Sequence, residues 1–310
     1  MALNYAQVWS PDLLEIMEQE SLTSPFVTTA VKWLSAKTFH FTQMSTSGYK
    51  AHSRLGGWNK GTFAQTDVPF TLTHDRDISF LVDKIDVDET NETASIKNIS
   101  EVFHKTQQIP EMDAYFYSKV ATEAQKLTGY HSSTALSSYT KENVYGKLKA
   151  MLSAGKLRRY VAKGALIAYV NSTIMDLLEQ STDFTRKIEM TQIAEGGIGI
   201  ETRITDIDGV TFIEVIDDER FYDKFDFTDG FVPVASTSHK INVLIASPLT
   251  VKTVPKIASI YYFNPGQHTE GDGYLYQDRS LSDTFVFPNG KDNKIDSIYV
   301  DVDTETYTAE

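Results

Sequence analysis

Apolar and polar residues alternate from Thr38 to Met44 through Phe39 and Phe41, again through Val68, Phe70 and Leu72, and again through Ile78, Phe80 and Val82. A period of two predicts strands. Between the first and second runs lie Gly48, Gly56, Gly57 and Gly61 with Trp58, Asn59 and Lys60, a turn-rich tip, so Thr38–Asp86 reads as one very long hairpin. A two-stranded ribbon of that length is marginal alone and leaves its edges unpaired. Either a further strand of the same chain covers it or a second copy does.

The stretch Ile109–Gly129 carries the signals of a single long helix over 110–128. Pro110 suits a first helical position, Glu111 and Asp113 put negative charge at the positive end of the dipole, and Gly129 can close the helix in the left-handed conformation. Met112, Phe116, Val120, Ala124 and Leu127 share one face and form its expected core contact, while Lys119, Glu123 and Lys126 face water. Ile96, Ile99, Val102 and Phe103 lead into it at helical spacing, and Ser10-Pro11 opens a short helix in an arm over residues 1–37. Further on, Thr140 caps a helix with Val144, Leu148, Met151 and Leu152 buried and Gly155 at its end. Ala165–Val170 is a central strand and Asn171 or Ser172 caps a helix carrying Ile174, Met175, Leu177 and Leu178. Ile198, Ile200 and Ile204 approach Asp208-Gly209, a favoured hairpin turn before Val210 and Phe212. Ile241–Ala246, Val254–Phe263, Thr284–Phe287 and Ile295–Val300 complete the strands. The class expected is α+β.

Composition narrows the chemistry. The 310 residues hold 29 Lys and Arg against 42 Asp and Glu, a net charge of −13, which argues against a protein whose main work is gripping phosphates. The local run Lys147, Lys149, Lys156, Arg158, Arg159 reads as a solvated face. The absence of cysteine excludes disulfides and thiolate chemistry. No apolar run is long enough to span a membrane, and Met1–Glu20 lacks the apolar core of a signal peptide. The histidines are scattered, so no local zinc motif forms; Ala150 replaces the first glycine of a phosphate loop before Gly155-Lys156, and Thr202 replaces the third glycine after Gly197-Ile-Gly199. Asp83–Glu89 lacks the glycine and final glutamate of a calcium loop. Asp206 with Asp208, and Asp217-Asp218-Glu219, are the remaining acid pairs on which a soluble hydrolase could be built. No cofactor and no metal is expected.

Four segments in order, Asp75-Arg-Asp-Ile-Ser-Phe-Leu-Val-Asp83, Asp86-Val-Asp-Glu-Thr90, Ile109-Pro-Glu-Met-Asp-Ala-Tyr115 and Gly271-Asp-Gly-Tyr-Leu-Tyr-Gln-Asp-Arg279, resemble the major capsid proteins of tailed bacteriophages. The resemblance covers roughly 37–300 and implies an N-terminal arm (1–37), an extended hairpin loop (38–87) and a peripheral domain (88–165 and 272–303) built on the 110–128 spine helix. It also implies an axial α/β domain (166–271) and a short tail (304–310). It implies a structural protein, not an enzyme, that assembles with itself as pentamers and hexamers into an icosahedral shell around double-stranded DNA, read without sequence specificity. A separate scaffolding protein, a portal, assembly in the host bacterial cytoplasm and a final place in the virion follow from the same likeness. Arg54, Trp58, Lys60, Phe63, Phe70 and Arg76 are then the expected subunit contacts. Lys50 and Lys60 lie in the hairpin, but no matching asparagine suggests an isopeptide crosslink. The rival shell is an encapsulin-type compartment enclosing protein cargo.

Overall fold

The computed structural model describes residues 21–29, 33, 35, 37–52, 54, 56, 58–85, 96–161, 165–181, 189–192, 201–289 and 294–308. The expected Ser10-Pro11 helix, the acidic stretch after Ile85 and the isoleucines at 198 and 200 lie outside these residues. Strands β1 (Thr38–Thr46) and β2 (Phe63–Thr71) pair antiparallel over their full length, Thr38 opposite Thr71 and Thr46 opposite Phe63. Nine residues a side make a ribbon about 30 Å long.

The ribbon stops there, short of the Thr38–Asp86 span that alternation suggested. Leu72 donates its N–H to Lys37 O at 2.9 Å and buries its side chain, closing the root. Thr73 then gives both its N–H and its hydroxyl to Asp283 Oδ2, each at 2.9 Å. This buried carboxylate redirects the chain, so β3 (His74–Asp83) pairs with β13 (Gly273–Val286), which also pairs with β12 (Val251–Phe263). The run read as part of the hairpin is an edge of a separate three-stranded antiparallel sheet.

A second, mixed sheet has the order β4 (His131–Ser133), β14 (Ile298–Thr306), β11 (His239–Ala246), β5 (Ile167–Asn171), β8 (Val210–Val215), β7 (Glu201–Ile207), β6 (Glu189–Gln192). Its β7–β8 turn is the expected Asp208-Gly209, with φ of 54° and 77°, the pair of positive angles a type I′ hairpin needs. The sheet runs through the boundary drawn at 165/166. β14 and β4, from the segments expected to be peripheral, hydrogen-bond into the same ladder as β5 and β11. Two short strands, β9 (Phe225–Asp226) and β10 (Val232–Pro233), form a small hairpin apart from both sheets.

Helices α1 (Ile96–Phe103) and α2 (Ile109–Gln125) are joined without a break by a π-helical turn, His104–Gln108. Pro110 therefore does not begin a helix; it sits just inside one that is already running. The wide turn accommodates it: Ile109 N–H bonds to His104 O, five residues back, immediately before the residue that has no N–H to give. At the other end Leu127 N–H bonds to Ala124 O and Gly129 adopts φ 83°. Of the expected core face, Phe116, Val120 and Ala124 are buried, and Met112 and Leu127 are half-buried. Burial is wider than one face. Asp113, Ala114, Tyr117 and Ala121 are also buried, because α2 touches β13 of one sheet and β11 and β14 of the other.

Helices α3 (Val144–Leu152), α4 (Arg158–Val161) and α5 (Ser172–Glu179) cover the mixed sheet. Leu148, Leu152, Ile174 and Leu178 pack on Ala168, Val170, Phe212 and Ile245. Asn171 caps α5 by accepting from Thr173 N–H at 2.9 Å.

Candidate assembly surface

The ribbon has an anchored root and an unsupported end. At the root Phe39 is buried against Phe285 at 5.2 Å between ring centroids, and the half-buried Phe70 packs on Phe287 at 5.0 Å, both edge-on. Leu72, Val254 and Leu281 complete the cluster, with Trp33 packed beside it and Lys256 Nζ lying 3.5 Å from the Trp33 ring centroid. Asp75 ties the start of the ribbon to the three-stranded sheet, accepting from Arg279 at 2.9 and 3.1 Å and from Lys37 at 2.9 Å. These two cations hold its pKa down to about 2.

Towards the other end the apolar side chains have no body to pack on. Met44 is 60% exposed, Phe63 75% and Trp58 96%, and Tyr49 is fully exposed. The tip keeps its shape through local bonds: Ser47 N–H to Thr62 O at 2.8 Å, Thr62 N–H to Ser47 Oγ at 2.9 Å, Asn59 Nδ2 to Ala51 O at 2.8 Å, and Lys50 Nζ to Lys60 O at 3.3 Å. Tyr49, Lys50, His52, Trp58, Asn59 and Lys60 frame a hollow of about 700 Å³. From Ser47 to Thr62 the sequence has Lys50, Arg54 and Lys60 and no carboxylate. Large exposed apolar groups around an acid-free tip of a strongly acidic chain make a surface that a complementary protein face would cover.

The six residues expected to meet a neighbour divide accordingly. Arg54, Trp58, Lys60 and Phe63 stand exposed on the ribbon. Phe70 is part of the root cluster. Arg76 spends its guanidinium inside its own chain: Nε and NH2 donate to Glu111 at 2.6 and 3.2 Å, NH1 donates to Phe227 O, and NH2 to Gly230 O at 3.3 Å. Both are engaged within their own chain, Phe70 at the anchored root of the ribbon and Arg76 on β3 of the three-stranded sheet.

The candidate acids and bases are likewise engaged. Asp208 lies in the β7–β8 turn and accepts from Lys149 at 2.8 and 2.9 Å and from Arg158 at 3.5 Å, while Asp206 accepts from Thr211 Oγ1 at 3.2 Å. Lys147 lies 4.1 Å from the Tyr139 ring centroid and Arg159 is 3.5 Å from Asp296. Lys149 and Arg158 of the basic run thus pair with Asp208, joining α3 and the start of α4 to the turn. Among the described residues no group of three or more His, Asp or Glu side chains is arranged to hold a metal ion, and no helix is long and apolar enough to cross a membrane.

A set of buried aspartates had no signal in the sequence. Asp113 accepts from Ser21 Oγ at 2.5 Å, Thr23 Oγ1 at 2.7 Å, Leu22 N–H at 3.3 Å and Arg220 NH1 at 3.1 Å. Asp301 accepts from Thr134 Oγ1 at 2.8 Å, Tyr139 OH at 2.6 Å and Asn242 Nδ2 at 2.8 Å, and from Ser132 Oγ. Each clasps segments far apart in the chain, so part of the acidic excess is structural and does not reach the surface.

No family model and no curated protein matches the sequence. Solved structures do match the fold. The mature capsid of bacteriophage PhiM1 superposes with a TM-score of 0.61 at 13% identity, over 93% of this chain and 88% of that one. The capsid of cyanophage P-SCSP1u gives 0.58 at 11% identity, over 90% and 86%. The structure of Mycobacterium phage Bobi gives 0.56 at 12% identity, over 92% and 91%. The class is therefore set: the chain has the tailed-phage capsid fold, as the four sequence segments implied.

Proposed function

We propose that the chain is the structural subunit of an icosahedral phage head, assembling with itself as pentamers and hexamers around double-stranded DNA. The observation that carries this reading is the ribbon, whose root is fixed by four phenylalanines while Met44, Tyr49, Trp58 and Phe63 face solvent in the lone subunit. Covering such side chains is worth roughly 1.5–3 kcal/mol each, so many weak contacts repeated around a shell can hold it. The role is structural and not catalytic, in keeping with the engaged Asp208 and the paired basic run. In this reading 1–37 is an arm, the ribbon is the overlapping loop, 88–165 with 272–303 is peripheral and 166–271 is axial. The shared seven-stranded sheet makes the last two one mechanical body. A scaffolding protein, a portal and a final place in the virion belong to the same proposal.

The test is assembly. Trp58→Ser with Phe63→Ser removes two of the four exposed apolar side chains without touching the root. The expected result is an unchanged circular-dichroism spectrum and melting temperature of the unassembled subunit, with shell yield by negative-stain microscopy and light scattering sharply reduced. Equal yield of shells from the double variant, or a wild-type chain that stays monomeric with its scaffold supplied, overturns the proposal. Purified shells that protect protein cargo and no DNA would move the reading to a cargo compartment.

A further inference from the structure

Between the β3–β13 pair and the helical run from α1 into α2 lies an open cavity of about 600 Å³, with the turn that joins β9 to β10 along one side. Alternation sets what the sheet presents to it. Ile78 pairs with Asp278 and Phe80 with Tyr276, and residues two apart on a strand share a face. Asp278 therefore stands beside Ile78 and Phe80 on the side towards the helices. From the helices come Phe103, Glu111 and Met112. The rings of Phe80 and Phe103 meet edge-on at 5.4 Å between centroids, giving this part of the wall an aromatic lining.

One group in the wall is out of balance. Asp278 is only 6% exposed, and its Oδ2 is buried with no hydrogen-bond partner. A carboxylate in that state is costly until a cation meets it. Burial lifts its pKa to about 6, so at pH 8 it is still an anion. The cations near it are committed elsewhere. Arg76 gives its guanidinium to Glu111 and to the carbonyls of Phe227 and Gly230. His74 stacks on Tyr115 at 4.0 Å and lies 3.5 Å from Glu111. Arg279, next in sequence, belongs to the opposite face of the sheet, where it bonds to both oxygens of Asp75 and lies across from Asp77. Asp229, in the β9–β10 turn, is exposed and has no ion-pair partner among the described residues. Glu111, Asp229 and Asp278 thus face the single guanidinium of Arg76.

That imbalance selects the guest. An anion would add to an excess of negative charge. Among the described residues no group of three or more His, Asp or Glu side chains is arranged to hold a metal ion. A neutral apolar molecule would leave the Asp278 charge buried and unpaired. A primary ammonium has three hydrogens to give and no acceptor of its own to satisfy, and an aliphatic stem suits the apolar and aromatic wall.

We propose that the cavity is a binding site for a primary alkylammonium group, its nitrogen on the Asp278 carboxylate and its short stem along Ile78, Phe80, Phe103 and Met112. Occupied, the site joins the π-helical turn region, the β9–β10 turn and strand β13 through one guest. It lies within a single subunit, so its test stands apart from shell assembly and can fail while that reading holds.

The experiment titrates the unassembled subunit with butylammonium chloride at pH 8, in amine-free phosphate buffer at constant ionic strength, and in parallel with butanol, a neutral molecule of similar shape. Amide shifts are followed by nuclear magnetic resonance. Butylammonium is expected to give saturable shifts at 103–112, 228–230 and 276–282 and to raise the melting temperature by mass action; butanol at the same concentrations is expected to do neither. Asp278→Asn keeps the shape and removes the charge, and should weaken butylammonium binding about tenfold or more, as loss of a charge-assisted hydrogen bond does. Asp229→Asn, on the exposed turn, should weaken it by less. A lysine blocked at its α-amino and carboxyl groups separates the two sources of such a cation. If it binds as tightly as butylammonium, the natural guest is a lysine side chain of a protein; if it is rejected while butylammonium binds, the guest is a free amine. Equal response to butylammonium and butanol, no saturable shifts with either amine, or unchanged binding in Asp278→Asn overturns the proposal. The wild-type comparison of amine with alcohol decides the matter alone if that variant does not fold.

Discussion

Removing the Arg220 side chain's charge is the sharpest test of what the buried aspartates do. Asp113 is fully buried on α2 and Arg220, the cation on it, is 13% exposed. The other donors come from Ser21, Leu22 and Thr23, which hold the segment that seats Phe26 against Phe116 at 4.6 Å and Tyr169 at 6.2 Å. Arg220→Met keeps length and apolar stem but leaves a buried carboxylate without its counter-ion, a change that costs about 3–5 kcal/mol. Three neutral donors remain, and Arg220 Nε, which is buried without a partner, no longer has to be. The loss therefore belongs at the low end, about 3 kcal/mol, or roughly 6 °C in melting temperature at about 2 °C per kcal/mol. Urea unfolding of the unassembled subunit measures it, with the slope unchanged. Limited proteolysis should cut within 21–29 faster than in wild type. In a double-mutant cycle with Asp113→Asn, the two losses should fall short of adding. A loss under about 1 kcal/mol, or simple additivity, refutes the view that the pair clamps this segment.

Ala124→Pro removes a hydrogen bond from the interior of α2 and forces a ring into a fully buried site; a cost of about 3 kcal/mol or more is expected, read as loss of helical signal or of soluble subunit. Gly273→Ala places a methyl group against the backbone of Val82 and should separate the β13–β3 pairing at that end, seen as faster amide exchange in β3. Asp75, held at about 2 against an ordinary 3.8, contributes stability that is present above about pH 4 and is lost as the pH falls through 2. Asp75→Asn should therefore melt below wild type at about pH 5 and converge with it near pH 2; a gap that persists in acid would contradict this.

Local devices were legible because their causes are local. Gly129 and Asp208-Gly209 need positive φ, Asn171 caps its helix with its own side chain, and the face of Phe116, Val120 and Ala124 follows from helical spacing. What the sequence concealed depends on distant partners. β3 alternates like a continuation of the ribbon, and only the capture of Thr73 by Asp283, more than two hundred residues on, shows where the ribbon ends. Pro110 carries the signature of a helix start, yet the π-helical turn before it lets the helix pass through. Arg76 looked like a surface contact because nothing near it in sequence foretells Glu111 and the carbonyls of Phe227 and Gly230. The exposed end of the ribbon was readable, since glycines, aromatics and lysines without a local apolar partner are visible in one dimension.

The rigid root also gives the ribbon mechanical gearing. A rod about 30 Å long, clamped at one end, converts a turn of about ten degrees at its base into a sweep of about 5 Å at its far end. Small repacking of Phe39 and Phe70 against Phe285 and Phe287 would thus redirect Trp58 by more than the width of a methyl group. In the shell proposed above, one sequence would then meet neighbours at slightly different angles by small repacking of these four aromatic rings, leaving the rest of the body unchanged.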